Sequence, residues 1–292
     1  MIRYPVTLAE LQAKVGKAWL KKAAERTEVF RKLGRYEESS SIWSEVKPHY
    51  MALQHEKCAY CERKLESADY GLIEQDVEHY RPKSSVTTWK PPASLSGVPV
   101  TPVPAGQTGY HLLPYHLLNY AAACKPCNSA LKSDYFPIAG TYQFAGGDPK
   151  ALMKSERPYL LYPIGSVDVD PATLFGFNGV SPCPTPKAKG AARDRVRVTI
   201  EFFKLDDVVA RKNLVLERAR CLVALYPQLS ALANPAATAR DKARAQKAVD
   251  GFTANAAPHA NCSRRFCDLF KANPARAGDF YDAALDLVAG SS

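Results

Sequence analysis

The chain has 292 residues, 39 Lys and Arg against 29 Asp and Glu for a net charge of +10, and eight cysteines. With 46% apolar and 23% charged residues it has the composition of a folded protein, which excludes wholesale disorder and allows one large domain or two modest ones. No uncharged apolar stretch approaches the roughly 18 residues that cross a bilayer, and the opening MIRYPVTLAELQAKVGKAWL lacks the apolar run of a secretory signal, so a cytoplasmic protein without a membrane partner is expected.

In chain order, Thr7 and Glu10 form a capping box at the start of a helix predicted to run to Leu33, with Leu8, Leu11, Val15 and Trp19 on one face. Between Lys14 and Arg35 the same helix carries eight basic residues against two acidic ones, a local balance of +6. Such a stripe reads first as a solvated face and second as a contact for nucleic acid or a partner. A second helix is predicted over 42–55, bent or started at Pro48. From Ser84 to Gly109, five prolines and three glycines without an apolar period predict a long exposed loop. A shorter stretch of this kind, SPCPTPKAKG from Ser181, leads into ARDRVRVTIEFFKL. Asp206 or Asp207 is placed to cap a helix ending near Leu225, before Pro227, with Val208, Val209, Leu214, Leu216 and Leu222 as its apolar positions. Further helices are predicted over 236–252 and 279–288. The expected class is α+β, mainly helical. An N-terminal helical region (1–57) precedes a central module (58–140) with the proline-rich insertion at about 85–109, and a mainly helical region (141–292) follows.

Two C-x-x-C pairs, Cys58-Ala-Tyr-Cys61 and Cys124-Lys-Pro-Cys127, stand 62 residues apart. In a reducing compartment thiols are asked about metal before disulfides, and two such knuckles supply the four ligands of a closed structural zinc site. A thioredoxin-like redox pair needs a strand-to-helix context that is absent around Cys58 and leaves the second pair unexplained. Cys183, Cys221, Cys262 and Cys267 lack this spacing and read as ordinary thiols. Inside the stapled stretch, Glu78 stands next to His79 in an alternating segment; a strand would send the two side chains to opposite faces, so a local twist is required. Asp76 shares the Glu78 face by the same alternation.

The run E-H-Y-R-P-K at 78–83, then L-L-N-Y at 117–120, then A-C-K-P-C-N-S-A-L-K at 123–132 resembles the His-Asn-His nucleases, whose core is a β-hairpin followed by a helix around one divalent metal. The resemblance implies that His79 is the general base, Glu78 an acidic metal ligand, Asn119 the central asparagine that braces the loop and orients the histidine, and Asn128 the last metal-binding position. Glu at 78 replaces the commoner Asp, and Asn at 128 replaces His; both occur in active branches of the family. W-x-x-x-K from Trp43, C-A-Y-C-E from Cys58, L-K-S-D-Y-F-P after the second knuckle and R-P-Y-L-L-Y-P-I-G-S-V-D-V-D-P extend the likeness. They look like the nuclease subunits of Septu-type and retron-linked anti-phage systems, which work with an ATPase, and the likeness covers roughly residues 43–220.

The chemistry so implied is hydrolysis of a phosphodiester, with a neutral imidazole deprotonating water and Mg2+ or Mn2+, held by Glu78 and Asn128, stabilising charge on the phosphate. Lys83 and Lys132 are placed to meet the nucleic-acid backbone. DNA is the expected substrate. RNA, such as tRNA, is an alternative that the same site would serve, and a catalytically silent zinc-stabilised binding or assembly module is another.

Overall fold

In the computed structural model, which describes residues 1–66 and 75–290, Thr7 caps the first helix as its pattern predicts. Its hydroxyl accepts from the Glu10 N–H at 3.2 Å, and the Glu10 carboxylate accepts from the Thr7 N–H at 2.7 Å. This helix, α1 (Leu8–Leu33), is kinked at Gly16, whose φ of +78° suits a residue without Cβ. Leu11, Trp19, Ala23 and Phe30 form its buried face, and Trp19 donates its indole N–H to the Ile42 carbonyl at 3.1 Å. The basic stripe faces outward and is partly neutralised, Arg26 by Glu38, Arg31 by Glu28 and Arg35 by Glu37. The expected second helix is a 3₁₀ turn (Trp43–Val46) running into α2 (Lys47–Leu53), with Pro48 in the first turn of α2, where its missing N–H costs no hydrogen bond.

Strand β1 (Gln75–His79) pairs antiparallel with β2 (Tyr120–Cys124), His79 opposite Tyr120 and Gln75 opposite Cys124. The Asp76 side chain lies outside the described residues. The three alanines of β2 are fully buried and leave its free edge open to close approach. Gln54 fills that edge like a third strand: its amide donates to the Ala122 carbonyl at 2.9 Å and accepts from the Ala122 N–H at 2.7 Å. The Ala59 N–H donates to the same carbonyl at 3.0 Å, which draws the first knuckle against the strand that ends in Cys124. A seven-residue π-helical segment, Pro126–Lys132, follows directly.

The proline-rich arm between the strands is irregular but not simply exposed. Val86, Leu95 and Val98 are buried, Trp89 packs on Phe202 with ring centroids 5.5 Å apart, and the Thr101 N–H donates to the Ile138 carbonyl at 2.9 Å. Its scattered aliphatic side chains have an apolar surface to cover, which proline content alone does not reveal. The arm returns at Gly109, φ +65°, where a Cβ would stand 2.7 Å from the Ser84 carbonyl carbon and the Ser85 nitrogen.

Helices α3 (Pro149–Glu156) and α4 (Pro171–Leu174) lead to a hairpin of β3 (Phe175–Asn178) and β4 (Ser181–Pro184). AARDRVRVTIEF forms α5 (Ala191–Phe202). Asp207 caps a short turn, accepting from the Val209 and Ala210 N–H groups at 3.0 and 2.8 Å, and Val208 and Val209 are exposed rather than apolar helix positions. Helix α6 (Lys212–Ala233) starts later than expected and runs through Pro227, because Leu222, Leu225 and Leu229 bury against α7 (Ala239–Thr253), α8 (Ala260–Ala272) and α9 (Pro274–Ala289). The hairpin and α8 stand beyond the sequence expectations.

The chain is α+β and mainly helical, about half of it helix, with two two-stranded sheets among the described residues. One apolar core gathers buried residues from Met1 to Leu214, and a second gathers those from Ala219 to Ala284. Packing therefore divides near 214–219, while the N-terminal helices and the central module share one core. No helix among the described residues is long and apolar enough to cross a membrane.

Candidate metal centre and candidate active site

Cys58 and Cys61 sit on a turn closed by the Glu62 N–H on the Cys58 carbonyl at 3.0 Å; Cys124 ends β2 and Cys127 lies in the π segment. All four are buried, with sulfur atoms within 4.8 Å of one another, and the Cys61 and Cys124 sulfurs are 3.8 Å apart. With metal–sulfur bonds of about 2.3 Å, a tetrahedron has an edge of about 3.8 Å, so the cluster suits one ion such as zinc. Hydrogen bonding from the other three sulfurs, with burial, pushes the Cys127 thiol well above its ordinary pKa; a divalent cation would reverse that shift. Two guanidinium nitrogens of Arg211 lie 3.7 and 3.6 Å from the Cys127 sulfur, and one also donates to the Phe203 carbonyl at 2.8 Å. Four thiolates around a divalent ion carry a net charge of −2, which Arg211 partly offsets. Among the described residues, the other four cysteines join no such cluster.

Glu78, His79, Lys83 and Asn128 line one cleft of about 370 Å³, with Trp43, Ser133 and Asp134 in its wall. Glu78 and His79 both lie in regular register, opposite Ala121 and Tyr120, and both line the cleft at the end of the strand. Asn128 directly follows Cys127, which ties one wall of the cleft to the cysteine centre.

His79 is held on three sides. Its ring meets Trp43 and Tyr120 edge to face at 5.0 and 5.1 Å, and its Nε2 lies 3.1 Å from the Pro114 carbonyl oxygen. A carbonyl can only accept, so Nε2 carries the proton and the neutral ring keeps its lone pair on Nδ1. Burial, joined by the Lys83 charge, holds the imidazole well below its ordinary pKa against the opposing Pro114 hydrogen bond; the ring is neutral at physiological pH. Asn119 is fully buried and makes three hydrogen bonds: Oδ1 accepts from the Arg81 N–H at 2.8 Å, and Nδ2 donates to the Arg81 and Leu113 carbonyls at 3.1 and 3.2 Å. It thereby joins the chain just after His79 to the loop that presents Pro114.

The two lysines differ. Lys83 stands 4.7 Å over Trp43 and 5.6 Å over Tyr36 at the cleft, where burial lowers its pKa against the pull of Glu78. Lys132 is wholly buried, its ammonium 3.0 Å from the Glu78 carboxylate and 3.4 Å from the His79 carbonyl. In this arrangement it neutralises Glu78 rather than facing a nucleic-acid backbone. Trp43 and Asp134 join the cleft without any role in the sequence motifs; each lies in a stretch quoted only for its likeness, and no spacing rule aims either at His79. Arg211 is likewise invisible beforehand, since it reaches Cys127 only because α6 begins beside the π segment.

No family model, curated protein or solved structure matches the chain.

Proposed function

We propose that the chain is a metal-dependent endonuclease of the His-Asn-His type, cytoplasmic, with one structural zinc ion on Cys58, Cys61, Cys124 and Cys127. The observation that carries this reading is the meeting of Glu78, a tautomer-fixed neutral His79 and Asn128 in one cleft beside the four-cysteine cluster. A strand pair followed by a short helical segment supplies the element order that a ββα-metal module needs. The likeness in sequence is to PtuB, the nuclease subunit of Septu-type and retron-linked anti-phage systems, and by that likeness the partner is an ABC-type ATPase resembling PtuA.

His79 takes a proton from the attacking water through Nδ1, and the ring passes to imidazolium against the pull of its buried surroundings. Trp43, Tyr120 and the Pro114 carbonyl hold the ring in place while this happens. Glu78 and Asn128 offer hard oxygen donors that suit Mg2+ or Mn2+, which when bound would stabilise negative charge on the phosphate. Lys83, at the cleft and half-buried, adds positive charge where a phosphate would enter.

The test is His79→Ala in an assay with Mg2+ or Mn2+, using supercoiled DNA, linear DNA and tRNA, with and without the ATPase. Cleavage should vanish while circular dichroism and zinc content stay as in the parent chain; retained cleavage would sink the assignment of the base. One observation favours the quieter alternative, a zinc-stabilised nucleic-acid-binding or assembly module: the Lys132 ammonium already pairs with Glu78. Binding of nucleic acid without cleavage under every one of these conditions would support it.

A further inference from the structure

The chain has a second cleft, larger than the one at His79. Its volume is about 1030 Å³, against about 370 Å³ for the Glu78–His79 cleft, and it lies between the β3–β4 hairpin, the segment 184–190, the start of α5 and the side chain of Arg265 on α8. Small-molecule sites commonly fall in the range of about 300–1,000 Å³, so this one admits a nucleotide-sized ligand.

Its charge is one-sided. Lys187, Lys189, Arg193 and Arg265 line it, and no carboxylate does. Arg265 is anchored by donating to the Phe175 carbonyl at 3.3 Å and to the Ala172 carbonyl, with Asp268 3.4 Å away. Lys187, Lys189 and Arg193 are exposed, and none forms an ion pair among the described residues. On and just after α1, Arg26, Arg31 and Arg35 have glutamate partners while Lys14, Lys17, Lys22 and Lys32 form no ion pair among the described residues, so what sets the three cations of the cleft apart is that they share one concavity. Three uncompensated cations converging on a concavity repel one another, and that cost is recovered when a polyanion enters. The first turn of α5 opens at Gly190 on the same wall, where the helix dipole adds to the positive field, with Asp194 of that turn paired to Arg197 at 3.4 Å. Phe177, half-buried in the hairpin with the Arg218 guanidinium 5.5 Å from its ring centre, lines the cleft and offers its remaining exposed surface to a base.

We propose that this cleft binds a phosphate-bearing ligand of nucleotide chemistry, its phosphates held by Lys187, Lys189 and Arg193 and its base against Phe177. The ligand is either a free nucleoside triphosphate or a few nucleotides of a strand, since both present consecutive phosphates and a base. This site stands independently of the nuclease reading, because it binds without cutting.

Binding is measured on the full chain with its zinc, without added divalent metal, using ATP, inorganic triphosphate and a fluorescent single-stranded 20-mer as separate probes. The comparison is with the triple variant Lys187→Glu, Lys189→Glu, Arg193→Glu, whose positions are exposed, and with a control, Lys14→Glu, Lys17→Glu, Lys21→Glu, on α1. At least a tenfold loss of affinity in the first variant and less than threefold in the control is expected. If ATP binds and its binding is lost, the ligand is a free nucleotide, and ATP should bind more tightly than triphosphate because of Phe177. If only the 20-mer responds, the ligand is a strand, and the slope of log affinity against log salt should become shallower by about 2–3. Unchanged binding of all three probes in the triple variant, or no binding by the parent chain, overturns the proposal. Loss of cleavage in His79→Ala leaves these measurements unmoved, so the two readings fail separately.

Discussion

Lys132 alters the chemistry expected of the Glu78 carboxylate. Its buried ammonium stands 3.0 Å from that carboxylate, so a divalent ion arriving at Glu78 must share or displace an internal cation. Lys132→Met should therefore lower the melting temperature in metal-free buffer, because a buried carboxylate loses the ammonium 3.0 Å from it, at a cost of about 3–5 kcal/mol. Mg2+ or Mn2+ should restore more of that loss in the variant than it adds to the parent chain; equal metal-induced shifts in thermal melts would show that the ion does not use Glu78. Asn119→Ala strands the Arg81 carbonyl and N–H in the interior, while the Leu113 carbonyl keeps the His116 N–H at 3.2 Å, and by about 1–3 kcal/mol for each buried orphan it should destabilise by about 2 kcal/mol or more in urea unfolding. A loss below about 1 kcal/mol would mean that these bonds do not brace the loop. The resemblance in sequence names Glu78, His79, Asn119 and Asn128; the fold brings Glu78, His79 and Asn128 to one cleft and sets Asn119 in the loop beside it. The burial of Lys132 was not legible in the sequence, because it depends on a π segment, which no apolar period announces.

Among the elements, the capping box at Thr7 was fully readable, since both its hydrogen bonds are made within one turn. Helix α6 was misread at both ends for reasons that are not local: Asp207 spends its carboxylate on a turn, and Pro227 is tolerated because the side chains around it are buried against three other helices. The proline-rich arm is largely exposed as expected, but its buried anchors Val86, Leu95 and Val98 were not legible, because its contacts are made with segments distant in sequence, such as Phe202 and Ile138. That arm depends on Gly109 at its return crossing. Gly109→Ala forces both a positive φ and a contact of 2.7 Å with the backbone of Ser84 and Ser85, and should cost more than about 2 kcal/mol in chemical denaturation. A stability within about 0.5 kcal/mol of the parent would show that the arm and the cleft wall beneath it shift freely past each other.

Across the whole molecule, the four-cysteine cluster sits where the first core joins the second: its knuckles hold β2 on one side, and Arg211 leads into α6 on the other. Elemental analysis should give about one zinc per chain. Cys58→Ser, Cys127→Ser or prolonged chelation should destabilise the first core, because structural zinc binding contributes on the order of 10 kcal/mol to folding small sites. A fully folded, zinc-free chain in thermal denaturation would refute the zinc assignment.

The placement of that cluster also sets a timetable. Glu78, His79 and Lys83 lie in the loop that the two knuckles close, and Asn128 and Lys132 follow its last cysteine. Closing so long a loop costs roughly 4 kcal/mol of chain entropy. Capture of an ion by the cluster would repay this in one event, which would have to wait until Cys127 has left the ribosome. A growing chain would therefore carry the histidine and its acid before it has a cleft, and metal loading, with more than half of the 292 residues still to be made, would be the step that assembles one.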